Sequence, residues 1–126
     1  MKSRAIKLWS AVGLVSLSAC NTTKVVSYQR DVYPVLEANC LECHTPPTGE
    51  GYRAVGLNME SYASLMRGTI YGSVVMPGDS QCSILTMLVE GRADMSMRMP
   101  HQSEEPLQPE EIEILRHWVN QGANNN

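Results

Sequence analysis

The chain has 126 residues, of which 18% are charged, and a formal net charge of −3. Setting aside Lys2, Arg4 and Lys7 in the N-terminal leader leaves seven basic residues against 13 acidic ones, which argues against a nucleic-acid surface. A folded part of about 106 residues has room for one domain. Its aromatic stock is thin: there is no Phe, and once Trp9 of the leader is set aside only Trp118 and five Tyr remain.

Lys2, Arg4 and Lys7 form a positive n-region ahead of an uncharged stretch from Leu8 to Ala19. That stretch is shorter than the ~20 residues a bilayer-spanning helix needs, so residues 1–19 read as a signal peptide. Its end, Leu17-Ser18-Ala19-Cys20, resembles the lipobox of bacterial lipoproteins, in which the Cys is lipidated and becomes the mature N-terminus. The alternative is a secretory signal cut near Ala19 that leaves Cys20 a spare thiol. Both readings place the domain outside the cytoplasm. Residues 20–27 read as a lipidated tether, and Asn21 directly after the Cys resembles lipoproteins sorted to the outer membrane.

From Asp31, a candidate cap, the spacing predicts a helix through Val32, Leu36, Asn39, Cys40 and Cys43, with Pro34 tolerated in the first turn. Leu36, Cys40, Cys43 and His44 would then share a face. Cys40-Leu41-Glu42-Cys43-His44 is the C-x-x-C-H haem attachment pattern. Two thiols at this spacing reach the two vinyl groups of one porphyrin, and the following imidazole supplies the proximal iron ligand. A thioredoxin-like redox pair would need a βαβ context that this chain lacks. A structural zinc site would need a fourth ligand, and Cys82 and His101 are far from finger-like spacing.

Further along, Met59 to Arg67 is predicted as a short helix with Tyr62, Leu65 and Met66 inward and Gly68 as its stop. Ser80 is a candidate cap for a helix through Ile84, Leu85, Leu88 and Val89 that stops at Gly91. The last helix starts at Pro109, carries Glu110 and Glu111 at its positive dipole end, and buries Ile112, Leu115, Trp118 and Val119 before Gly122. Asn124 to Asn126 read as a polar tail.

A His/Met pair raises haem potential and leaves no open coordination position, and two of the methionines, Met76 and Met99, stand before Pro. Taken together, Val32-Tyr33-Pro34-Val35-Leu36 into the attachment pattern, Gly56-Leu57, Pro77-Gly78-Asp79, Met99-Pro100 and the closing Trp118-Val119-Asn120-Gln121-Gly122-Ala123 resemble small class-I monohaem cytochrome c domains over residues 28–123. The resemblance implies an all-α bundle of about four to five short helices around one covalently attached haem c, with the last helix crossing the attachment helix. It also implies Met99 as the distal ligand, with Met95 and Met97 as neighbours, and Met76 as haem-pocket packing.

The expected role is therefore a membrane-anchored periplasmic carrier of single electrons, with Cys40, Cys43, His44 and Met99 as the haem site and Cys20 as the anchor. The alternative is a haem-based sensor or peroxidase-like enzyme with a labile distal ligand. His101 and His117 are lesser ligand candidates, and Arg53, Arg92 and Arg98 are candidates for pairing haem propionates. Cys82 has no evident partner and reads as a buried, inert thiol. The acidic run Glu104, Glu105, Glu110, Glu111 and Glu113 can steer a basic redox protein, an effect that salt weakens.

Overall fold

The computed structural model describes residues 24–101 and 106–126; the leader with Cys20, and Glu104 and Glu105 of the acidic run, lie outside the described residues. Among the described residues the fold is all-α, with five short helices and no strand beyond an isolated bridge between Thr69 and Gly72.

Helical structure begins earlier than Asp31. Ser27 caps a π-helical turn, Tyr28–Val32, that leads directly into α1 (Tyr33–Asn39). Asp31 lies inside this turn, and its carboxylate reaches back to accept the Ser27 N–H at 2.8 Å. The extra turn forms because it buries Tyr28 and Val32, four residues apart, on the core side. The Arg30 guanidinium, hydrogen bonded to Asp31, holds that carboxyl down at about 2.

The helix also ends earlier than expected. Cys40 leaves helical conformation (φ −127°, ψ −35°), and the Asn39 side chain turns back to donate to the Val35 carbonyl at 2.9 Å. An Asn amide that competes for backbone partners in this way favours termination. Cys43 and His44 therefore sit on turns after α1 rather than on its face.

Helix α2 (Glu50–Val55) occupies a stretch for which the sequence suggested no helix. Gly56 ends it at φ +74°, a left-handed conformation that Gly adopts without a Cβ penalty. Helix α3 (Tyr62–Arg67) starts from a capping box in which Ser61 and Ser64 each bond the other's backbone N–H. Helix α4 (Ile84–Val89) has Ser83, not Ser80, at its N-cap position. Ser83 does not cap: its hydroxyl accepts the Met76 N–H at 2.8 Å and donates to the Asp79 carbonyl at 2.8 Å. The Asp79 carboxylate instead takes the N–H groups of Gln81 and Cys82.

Helix α5 (Pro109–Asn120) starts from a box between Gln108 and Glu111 and packs across the π-helical turn and against α4. Its Leu115, Trp118 and Val119 are fully buried with Tyr28, Val32 and Leu36. Each such side chain contributes about 1.5–3 kcal/mol of transfer free energy. Four of the six aromatics outside the leader meet here: the Tyr28 ring lies 5.2 Å from Tyr62, edge-on, 5.6 Å from Trp118 and 6.2 Å from Tyr33.

The segments read as tether and tail meet beside this cluster. Val26 N–H donates to the Gln121 side chain at 2.8 Å, and Asn126 accepts from Tyr28 N–H at 2.9 Å and from the Ser27 hydroxyl at 2.6 Å. Midway along α5, Arg116 joins Arg92 in clamping Glu90, just after α4, whose carboxylate is almost fully buried. Burial alone would raise this carboxyl, but hydrogen bonds from the two guanidiniums outweigh it and hold Glu90 below its usual range.

Candidate haem site

Cys40, Cys43 and His44 are brought together by a single turn directly after α1. Cys40 N–H still bonds Leu36 O at 2.8 Å, and both Cys43 and His44 bond back to Cys40 O, at 3.2 and 2.9 Å. The outgoing carbonyls are also engaged: Cys43 O accepts from Tyr52 N–H at 2.9 Å and His44 O from Met59 N–H at 3.0 Å. The attachment turn is thus tied on one side to α2 and on the other to the segment before α3.

His44 is buried, at 7% exposure. Burial pushes its imidazole below the ordinary His range, opposed by the backbone of Leu57, so the neutral form that can coordinate a metal is favoured. Its Nδ1 is buried without a hydrogen bond of good geometry. The imidazole is backed by Gly51 of α2: a Cβ built there would lie 2.5 Å from Cε1 and 2.8 Å from Nε2. Gly49 is equally constrained, its Cβ position lying 2.4 Å from Cys43 O. These two glycines were missed from sequence, although Gly49-x-Gly51 close after the attachment pattern is a readable signal of close backbone approach.

Cys40 lacks the acidic thiol of a redox exchange pair. Burial, with the Glu111 carboxylate nearby, pushes Cys40 up to about 12, whereas a dithiol exchange pair needs a depressed pKa. Glu111 is held there by Asn39, whose amide donates to it at 3.1 Å. Nor does a zinc cage form: among the described residues no three His, Cys, Asp or Glu side chains gather as metal donors.

Met99 is half-buried against the hydrophobic core, its N–H bonded to Leu88 O of α4 at 3.3 Å. The neighbouring Met95 and Met97 lie on a 3₁₀ turn (Met95–Met97) capped by Asp94 and are 69% and 53% exposed. Met76 is 48% exposed in the bend before Pro77. His101 is exposed, and His117 is an exposed residue of α5 that faces Glu113 at 3.4 Å. Cys82 is exposed rather than buried, because it sits in the Asp79 turn ahead of α4 instead of on a core face; the Asp79 carboxylate raises its thiol pKa.

The residues present fit a covalently held haem: two adjacent thiols, a buried neutral imidazole with a fixed back, and a half-buried thioether on a separate segment. A surface hollow of about 290 Å³, lined by residues that include Val26, Asp31, Ile114 and Gln121, contains none of them. Among the described residues no helix is long and apolar enough to cross a membrane.

The family model described as Planctomycete cytochrome C matches residues 40–103, just over half of the chain and the whole span from the first attachment Cys past Met99. No curated protein and no solved structure matches.

Proposed function

The chain belongs to the Planctomycete cytochrome C family, with haem c bound covalently and haem-based electron transfer as its general role, and on that premise we propose that it is a His/Met-ligated, membrane-anchored electron carrier on the periplasmic side. Cys40 and Cys43 hold the porphyrin as thioethers, His44 is the proximal ligand and Met99 the distal one. A haem held by these residues would supply a one-electron iron couple, with His44 and Met99 as its protein ligands. The chain's own residues would hold it and fix the ligands.

The observation that carries the reading is His44, buried, neutral and pressed against Gly51 immediately after the two thiols. Met99 is favoured over Met76 because Met99 packs against the core while Met76 is turned to solvent. The exposed side chains of Met95 and Met97 lie within four residues of Met99, where a porphyrin would offer them cover.

Cys20 is the lipid anchor of this reading, with the outer membrane favoured by Asn21, and the electron partners are periplasmic or membrane redox proteins. Of the acidic residues proposed to steer a basic partner, Glu110 and Glu113 are exposed on α5, whereas Glu111 is engaged with Asn39. The Cys40→Ala/Cys43→Ala double variant tests attachment: its band on a denaturing gel loses haem stain, and undiminished stain rejects the site. Mass spectrometry of the mature N-terminus finds a lipidated Cys20, and an unmodified soluble chain rejects the anchor.

A further inference from the structure

The haem reading leaves one feature of the distal segment unexplained. Three buried side-chain polar atoms among the described residues have no hydrogen-bond partner: Tyr28 Oη, His44 Nδ1 and Arg98 Nε. The last belongs to a guanidinium, and a buried cationic donor is costly unless an anion or acceptor meets it. Arg98 is half-buried, and its Cδ, Nε and Cζ pass within 3.6–3.8 Å of where a Cβ on Gly91 would be. It immediately precedes Met99 and sits at the end of the 3₁₀ turn, its N–H bonded to Met95 O at 3.3 Å.

The other arginines are differently placed. Arg92 spends its guanidinium on Glu90, on Gln81 O at 2.9 Å and on Ser80 O at 2.9 Å. Arg116 is bound to Glu90 and Glu113, and Arg30 to Asp31. Arg53 and Arg67 stand exposed at the ends of α2 and α3.

We propose that Arg98 is the residue that neutralises a haem propionate, donating its buried Nε–H to a propionate oxygen and coupling that carboxylate to the Met99 segment. The inference rests on the haem reading above. A haem held through its vinyl groups still carries two carboxylates, and a guanidinium is the side chain best matched to a carboxylate in geometry and permanent charge. The pairing keeps the propionate ionised, so its titration lies below the neutral range. Removing the positive charge has two consequences: ferric iron is favoured, and the propionate titrates near neutrality, where its charge feeds into the iron potential.

The test uses the full-length holoprotein with Arg98→Gln and Arg98→Lys, both checked for haem stain on a denaturing gel. Midpoint potential is followed by optical titration from about pH 5 to pH 8, the range in which a released propionate exchanges its proton. The wild type gives a nearly flat profile. R98Q gives a lower potential that falls further as pH rises through the propionate's new pKa, while R98K keeps the charge and recovers most of the wild-type profile. Superimposable profiles for R98Q and wild type, with haem attached in both, overturn the assignment and leave the haem reading standing. Absence of covalent haem from the wild type overturns both. Should R98Q fail to retain haem, the wild type decides by ¹⁵N nuclear magnetic resonance: a slowly exchanging Arg98 Nε–H signal that shifts between ferric and ferrous protein supports the pairing, and a rapidly exchanging, redox-insensitive one overturns it.

Discussion

Gly51 lies so close against His44 that a Cβ at that position would stand 2.5 Å from the imidazole Cε1 and 2.9 Å from Nδ1. Such contacts are well inside van der Waals separation, and the neighbour is a planar ring rather than the free end of a flexible chain. The ring cannot yield without leaving the orientation in which it is held. The short helix α2 therefore acts as a backstop for the His44 imidazole, and its tie to Cys43 through the Tyr52 N–H keeps thiol and imidazole in one unit.

Gly51→Ala tests this relationship. Overpacking of this kind costs about 1–3 kcal/mol, so the variant melts at a lower temperature and retains less haem per chain in pyridine haemochrome assays. Unchanged melting and full haem content would mean that the ring has room the structure does not show.

The clamp on Glu90 makes a second prediction. Removing the carboxylate leaves Arg116 and Arg92 without their shared partner, and Glu90→Gln is expected to destabilise by about 1–3 kcal/mol, discounted from fully buried pairs because both arginines are partly exposed. Glu90 has a folded pKa below its usual 4.5. Its contribution is present above the unfolded value and is lost as pH falls through the depressed one. Denaturant titrations of wild type and variant thus converge in acid and separate toward neutrality. A constant gap across that range contradicts the assignment.

Trp118 joins α5 to the N-terminal turn, its ring 5.6 Å from Tyr28 and its Nε1 donating to Asn124 O at 2.9 Å. Trp118→Ala is expected to cost about 3–5 kcal/mol, read as a shift in the urea midpoint. A loss below 1 kcal/mol would place the main core elsewhere.

Cys82 supplies a chemical prediction. It is exposed, but the Asp79 carboxylate beside it raises its pKa and so lowers its thiolate fraction at neutral pH. Alkylation should modify Cys82 slowly in the wild type and faster in Asp79→Asn, followed by mass spectrometry. Equal rates would show that the carboxylate does not control the thiol.

Much of this arrangement was legible in the sequence because it rests on local rules. The attachment pattern at Cys40, Cys43 and His44 is a spacing, and the buried stripe of α5 is a period, so both could be read directly. Boundaries failed where two polar residues compete. Ser27 and Asp31 both suit a helix start, and burial of Tyr28 decided for the earlier one. Ser80 and Ser83 both suit the start of α4, and the pull of Met76 and Asp79 on Ser83 left that helix with no side-chain cap. The burial of Arg98 Nε and the exposure of Cys82 are tertiary facts with no periodic signature, and α2, unlike the equally short α3 and α4, buries no residue fully and so lacks an apolar stripe to announce it.

The central claim, a haem c held by His44 and Met99, is tested most directly by optical spectra of the oxidised and reduced protein, with Met99→Ala and Met76→Ala alongside. The account predicts a near-infrared Met-to-iron charge-transfer band in the oxidised wild type that survives in Met76→Ala and disappears in Met99→Ala, with no carbon monoxide binding to the reduced wild type at neutral pH. Ready carbon monoxide binding without that band would contradict it and favour a sensor or peroxidase-like protein with an open iron.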